Sequence, residues 1–225
     1  MMLKLKGIKH KEQIKHVVID EAQDLSLLQL KVIKEITQAV SLTIVGDENQ
    51  RISGFNRKPG MFSIKDVFPE LNVQSFTLNK SYRSTQEIME YANNYLKEEK
   101  ILPLVRSGSE VEKIHLEKID EISELVAEKV ESFRTLGLDN IAIITPTLNE
   151  LEKYEALIKA KTYVSSIKTE DMLYSGGTVL IPSYLAKGLE FDGVIVINKS
   201  ESSTNDFIKY VMCTRALHSL VEIEL

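Results

Sequence analysis

Apolar positions in this chain follow two periods. Short runs that are apolar at nearly every residue, Val17-Val18-Ile19, Leu42-Thr43-Ile44-Val45 and Ile141-Ala142-Ile143-Ile144, have the length and β-branched content of strands covered on both faces of a parallel sheet. Stretches with apolar residues three and four apart predict helices over Leu25–Val40, Thr85–Glu98, Glu121–Leu136, Leu148–Ala160 and Asp206–Leu217. Ser26 or Asp24 is placed to cap the first of these. A short helix is expected over Met61–Phe68, ended by Pro69, and further strands over Asn72–Leu78, Lys113–Leu116, Thr178–Ile181, Gly193–Ile197 and Leu220–Glu224. Met1–Lys15 reads as a lysine-rich lead-in, Glu48–Pro59 as a loop, and Lys161–Gly177 as a polar, hairpin-like piece. Strands alternating with helices give an α/β fold with a mainly parallel sheet. A domain boundary is expected near Gln74–Asn79, because the piece before it is too small to close a sheet of its own.

Composition narrows the function classes only slightly. With 43% hydrophobic and 27% charged residues the chain is an ordinary globular protein, and its net charge of −5 gives no global basic footprint for nucleic acid. No apolar run approaches the roughly 18 residues of a membrane span. The lysine-rich start has no apolar signal core, and the single cysteine, Cys213, fits a reducing, cytoplasmic setting. Cys213, His16, His115 and His218 lack the spacing of a tetrahedral metal site and read as structural.

Candidate chemistry stands where strands end. The first run stops at Asp20-Glu21-Ala22-Gln23-Asp24, and the second at Gly46-Asp47, shortly before Gln50. In open α/β sheets ligands bind beyond the carboxyl ends of strands. An Asp-Glu pair delivered there suits hydrolysis of a nucleoside triphosphate, the Asp holding Mg²⁺ through its water shell and the Glu orienting or deprotonating water. Taken singly, each acid pair is equally compatible with a solvated strand end. Arg83, between a strand and a helix, suits a phosphate contact, and in isolation it suits an exposed ion pair as well.

In order, the chain carries Asp20-Glu21-Ala22-Gln23-Asp24, Gly46-Asp47-Glu48-Asn49-Gln50, Ser81-Tyr82-Arg83-Ser84, Lys187-Gly188-Leu189-Glu190-Phe191-Asp192 and Tyr210-Val211-Met212-Cys213-Thr214-Arg215-Ala216. This series resembles motifs II to VI of UvrD/Rep-like superfamily 1 helicases. The resemblance implies a RecA-like P-loop NTPase fold with ATP between two lobes. Residues 1–76 would be the end of the first lobe and 77–225 the whole of the second. It implies Asp20 as the Mg²⁺ ligand, Glu21 as catalytic base and Gln50 as sensor of the γ-phosphate. Tyr82 would stack on the base, Glu190 bind the ribose, Lys187 and Gly188 belong to the nucleotide site, and Arg83 and Arg215 contact the γ-phosphate.

Departures from that pattern also carry information. The chain has no Gly-x-x-x-x-Gly-Lys-Ser/Thr, the loop that cradles phosphates. It therefore resembles the C-terminal part of a longer ATPase, whose partners would be a missing N-terminal half and single-stranded DNA or RNA polymerase. Alone it is not expected to hydrolyse ATP. No large insertion domain separates the fourth motif from the fifth. Ser53 and Asn56 stand where such enzymes have DNA-touching residues, leaving Phe55 as the base-stacking candidate. Pro182-Ser183-Tyr184 replaces the usual Thr-x-His, a phrase closer to the HelD-type branch, which acts on RNA polymerase. The alternative from another class is a freestanding, catalytically silent module that binds a protein partner.

Overall fold

A computed structural model describes residues 14–47, 68–69, 71–78, 80–96, 101–103, 106–199 and 206–225. The chain divides into two compact units, Met1–Thr77 and Leu78–Leu225. In the first unit, β1 (His16–Ile19) and β2 (Ser41–Ile44) pair in parallel, with Ile19 opposite Ile44. Between them runs α1 (Leu27–Thr37), started by a capping box in which Ser26 Oγ accepts the Gln29 N–H and Gln29 Oε1 accepts the Ser26 N–H. Leu30 and Ile33 pack on Val17, Ile19, Leu42 and Ile44 together with Phe68.

The opposite face of this pair departs from the sequence expectation of burial on both sides. There the His16 ring hydrogen-bonds Ser41 Oγ at 2.7 Å and Thr43 Oγ1 at 3.0 Å, and Val18 is 66% exposed. Among the described residues α1 covers one face, and side chains alternating to the other remain at the surface. Residues 72–78 form no strand either. Phe76 and Leu78 stand exposed, since a β-rich segment without a ladder partner gains nothing from the extended form. The expected Met61–Phe68 helix, except Phe68, lies outside the described residues, as do Gln50 and Phe55.

The second unit opens with β3 (Lys80–Ser81), paired in parallel with β4 (Leu102–Pro103). Between them, α2 (Gln86–Ala92) is capped by Thr85 and tightens into a 3₁₀ turn over Asn93–Tyr95. The helix ends earlier than its apolar spacing suggests because the Asn93 amide pairs with both backbone groups of Ile101. Then follow β5 (Glu112–His115), α3 (Ile122–Thr135), β6 (Ile141–Thr145), α4 (Leu148–Lys159), β7 (Ser165–Ser166), β8 (Thr178–Pro182), α5 (Ser183–Ala186), β9 (Phe191–Asn198), α6 (Asp206–Cys213) and β10 (Ala216–Glu224). α6 stops four residues short of the expected Leu217, because Arg215 O accepts the Phe191 N–H and draws the chain into the sheet.

Six strands lie in the order β5-β10-β9-β6-β8-β7, and every pair is parallel. The hairpin expected in 161–177 is instead an edge strand, β7, parallel to β8. Alternation in β6 shows why all its residues are apolar. Ile141 and Ile143 pack with Val126, Phe133, Leu151 and Ile158 of α3 and α4, whereas Ala142 and Ile144 share a core with Ile88, Tyr210 and Met212 of α2 and α6. A parallel sheet with helices on both faces is the α/β, RecA-like arrangement expected from the sequence.

Candidate nucleotide-handling residues

At the carboxyl ends of β1 and β2 the backbone ladder continues one step: Val45 N–H donates to Ile19 O at 2.8 Å and Ala22 N–H to Val45 O at 3.0 Å. The chain bends sharply between those bonds. Glu21 adopts φ 52° and ψ 37°, a left-handed conformation that costs a residue with a Cβ about 1–2 kcal/mol. Asp20 Oδ1 accepts the Glu21 N–H at 2.8 Å, which helps hold the bend. Both acids are exposed. Beneath them Gln23 is buried, its Nε2 donating to Glu21 Oε2 at 2.5 Å and its Oε1 accepting the Asp47 N–H at 3.0 Å. Asp20, Glu21 and Asp47 thus stand at neighbouring strand ends, with Glu21 and Asp47 joined by Gln23, a side chain to which sequence reasoning gave no role. Its signal was present: a Gln two residues after the Glu, directly behind a buried strand.

Among the described residues no cluster of three or more acidic, His or Cys side chains forms a metal cage. An exposed carboxylate such as Asp20 fits Mg²⁺ nonetheless, because that ion keeps several waters and takes one or two carboxylates along with phosphate oxygens.

The second unit presents its candidates at the opposite edge of a sheet, the amino ends of β9 and β10. Arg83 Nε meets Glu190 Oε1 at 2.7 Å, with side chains 49% and 38% exposed. Such surface pairs contribute about 0–1 kcal/mol, so Arg83 is exchangeable between Glu190 and another anion. Next to it Ser84 is buried and donates to Ala216 O at 2.6 Å, anchoring the start of α2 to β10. Tyr82 is 74% exposed, which leaves its ring open to stacking. Lys187 (φ −60°, ψ 134°) and Gly188 (φ 80°) are the central residues of a type II turn closed by Leu189 N–H to Ala186 O at 3.1 Å. That turn needs φ > 0 at its third residue, hence glycine.

Arg215 is buried. Its Nε donates to Val211 O at 3.1 Å, Nη1 to Leu189 O at 3.3 Å and Nη2 to Thr214 Oγ1 at 3.3 Å. Its guanidinium therefore sits beside the carbonyl that precedes Glu190, turned into the protein. Asp192, which closes the run from Lys187, has a scaffolding position: Oδ2 accepts the Asn140 N–H at 3.0 Å and Asn140 Nδ2 at 3.2 Å, fixing the entry to β6.

Behind α2 lies a polar cluster that sequence pattern missed, since a Glu in a closing strand reads as surface. Glu222, buried on β10, accepts from the hydroxyls of Tyr91 and Tyr95, the latter at 2.8 Å, and from Asn198 Nδ2 at 3.3 Å. Burial above all, together with hydrogen bonding to this carboxylate, pushes the two phenols well above the ordinary tyrosine range, while the contact between the hydroxyls raises Tyr95 further and pulls Tyr91 the other way. Burial likewise pushes the Cys213 thiol up.

A RecA-like sheet with these ordered residues defines a helicase-type protein. The UvrD/REP helicase N-terminal domain family matches residues 8–59. The crystal structure of the C-terminal domain of a possible DNA helicase from Lactobacillus plantarum is 31% identical, with a TM-score of 0.54, covering 64% of this chain and 88% of that one. A putative ATP-dependent DNA helicase of Acanthamoeba polyphaga mimivirus is 28% identical over 92% of this chain and 34% of its own length. A probable DNA helicase II homolog of Mycoplasma genitalium is 25% identical over 95% of the chain and 29% of its own. The structure of PRRSV helicase, at 17% identity and a TM-score of 0.51, shares the fold. The chain belongs to the UvrD/Rep-like superfamily 1 helicase family. It spans about a third of the length of the curated relatives it matches. No helix among the described residues is long and apolar enough to cross a membrane.

Proposed function

We propose that this chain is the C-terminal part of an ATP-driven motor that moves along single-stranded DNA, with residues 1–76 the end of its first RecA-like lobe and 77–225 its second. The observation that carries this reading is the Asp20-Glu21 pair at the carboxyl end of β1, with Glu21 bent and held by Asp20 and Gln23. Asp20 holds Mg²⁺, Glu21 takes the proton of the attacking water, and Gln50 senses the γ-phosphate. Tyr82 stacks on the base, Glu190 binds the ribose, and the Lys187-Gly188 turn shapes the same site. Arg83 and Arg215 neutralise charge developing on the transferred phosphoryl group. Arg83 reaches this role by leaving a weak surface pair. Arg215 reaches it by leaving its hydrogen bonds to Val211 O, Leu189 O and Thr214 Oγ1. Phe55 is the proposed base-stacking contact to the strand.

A second reading, action on RNA polymerase as in the HelD-type branch, is favoured by Pro182-Ser183-Tyr184. Here Ser183 is buried and donates to Pro146 O at 2.8 Å, while Tyr184 is exposed. In both readings a segment outside these residues supplies the phosphate loop, and the proposed location is cytoplasmic. The first test is the coding region before Met1. An in-frame Gly-x-x-x-x-Gly-Lys-Ser/Thr followed by long coiled-coil helices favours the polymerase branch, and the same loop with an inserted helical domain favours DNA unwinding. A stop codon with no partner half defeats both and leaves a silent protein-binding module.

A further inference from the structure

We infer that Gln23 is a positioning residue that couples the Glu21 carboxylate to the Gly46-Asp47 strand end, and that Gly46 is glycine to admit it. The inference deepens the motor reading and rests on Glu21 being its base. Both ends of the Gln23 amide are engaged. Its Oε1 accepts the Asp47 N–H at 3.0 Å, which leaves Nε2 to donate to Glu21 Oε2 at 2.5 Å. A backbone N–H can only donate and a carboxylate can only accept, so this amide has one workable orientation and links the two groups with fixed polarity.

The space for the link is set by the neighbouring strand end. A Cβ at Gly46 would lie 2.6 Å from Gln23 Oε1 and 3.2 Å from the Gln23 backbone nitrogen. Any larger residue there displaces the amide from Asp47. On the other side, Ala22 N–H to Val45 O clamps the two backbones together. Glu21 itself sits in a left-handed bend, and Gln23, buried at 7% exposure, holds one of its carboxylate oxygens at 2.5 Å. A displacement at Asp47 therefore reaches the carboxylate, and a displacement of the carboxylate reaches Asp47.

The test is NMR of the full chain at one fixed neutral pH, following the Asp47 amide as the Glu21 side chain is changed. In the unmodified background Glu21→Gln moves the Asp47 amide resonance, because Gln23 hydrogen-bonds both groups. In Gln23→Met that response disappears, and Gly46→Ala reproduces the loss. An Asp47 amide blind to Glu21→Gln in the unmodified background, or a response that survives Gln23→Met, overturns the proposal. Should Gln23→Met fail to fold, Gly46→Ala decides it.

A second readout uses this chain joined to the upstream segment that carries its phosphate loop. There Gln23→Met lowers kcat by roughly 10–100-fold and leaves KM within about threefold, the pattern of a misplaced base. An unchanged kcat overturns the positioning role. Absence of any turnover in the joined protein defeats the motor reading instead, and the NMR coupling still decides the role of Gln23.

Discussion

Tyr91→Phe removes one of two phenol donors to the buried Glu222 while keeping the ring that packs in the core beside α2. The deleted group is a hydrogen bond to a buried carboxylate, a class worth about 1.5–3 kcal/mol. Tyr95 Oη and Asn198 Nδ2 remain as donors to Glu222, so a loss near the middle, about 2 kcal/mol, is expected. For a unit of this size that lowers Tm by roughly 4–8 °C. Adding Tyr95→Phe should cost more than the two single changes summed, because the carboxylate then loses both hydroxyls. The same network fixes an alkaline limb. Both phenols are held above their unfolded value of about 10. The unfolded chain therefore releases these protons first, and stability is full below about pH 10 and falls as pH rises beyond it. Urea titrations followed by circular dichroism at pH 7 and at several alkaline pH values measure both effects. A Tyr91→Phe cost under about 0.5 kcal/mol, together with an alkaline limb identical in the double variant, would refute the assignment of Glu222 as a buried, phenol-bound carboxylate.

Other expectations follow from the same geometry. Arg83→Ala should leave urea stability within about 0.5 kcal/mol, because its pair with Glu190 is half-exposed, whereas Arg215→Ala should cost about 2–4 kcal/mol through lost buried hydrogen bonds and packing. Gly188→Ala should cost about 1–2 kcal/mol by forcing a Cβ into φ 80°, read as a lower urea midpoint at unchanged slope. Glu155, hydrogen-bonded by Lys159 and Lys168, has its carboxyl lowered to about 2. Its contribution is present above the unfolded value of about 4.3 and is lost as pH falls toward 2, so Glu155→Gln should flatten acid unfolding across that window.

Much of the fold was legible in local pattern. β6 is apolar at Ile141, Ala142, Ile143 and Ile144 because two helices cover each of its faces, and α3 shows its buried side through Ile122, Val126, Val130 and Phe133. What failed depends on partners distant in sequence. Residues 72–78 have strand composition without a ladder partner among the described residues, and α6 is cut short by a hydrogen bond from Phe191 to Arg215, which no period of apolar residues encodes. In the candidate site, some placements were readable from local pattern and others were not. Asp20 and Glu21 stand at a carboxyl strand edge as the acidic run suggested, yet Arg83, Glu190 and Arg215 gather at amino ends of β9 and β10. The inward turn of Arg215 and the amide link through Gln23 are tertiary facts, set by the Leu189 carbonyl in one case and the Asp47 N–H in the other.

The central claim is that these residues serve ATP hydrolysis once a phosphate loop is supplied, and steady-state ATPase turnover tests it most directly. The chain, joined to the upstream segment bearing its phosphate loop, would be assayed with Mg²⁺ and with or without single-stranded DNA. The account predicts turnover stimulated by the strand and reduced by at least about 10²-fold in Glu21→Gln, the scale expected for loss of a general base. Turnover that is absent, or that survives Glu21→Gln unchanged, would contradict it.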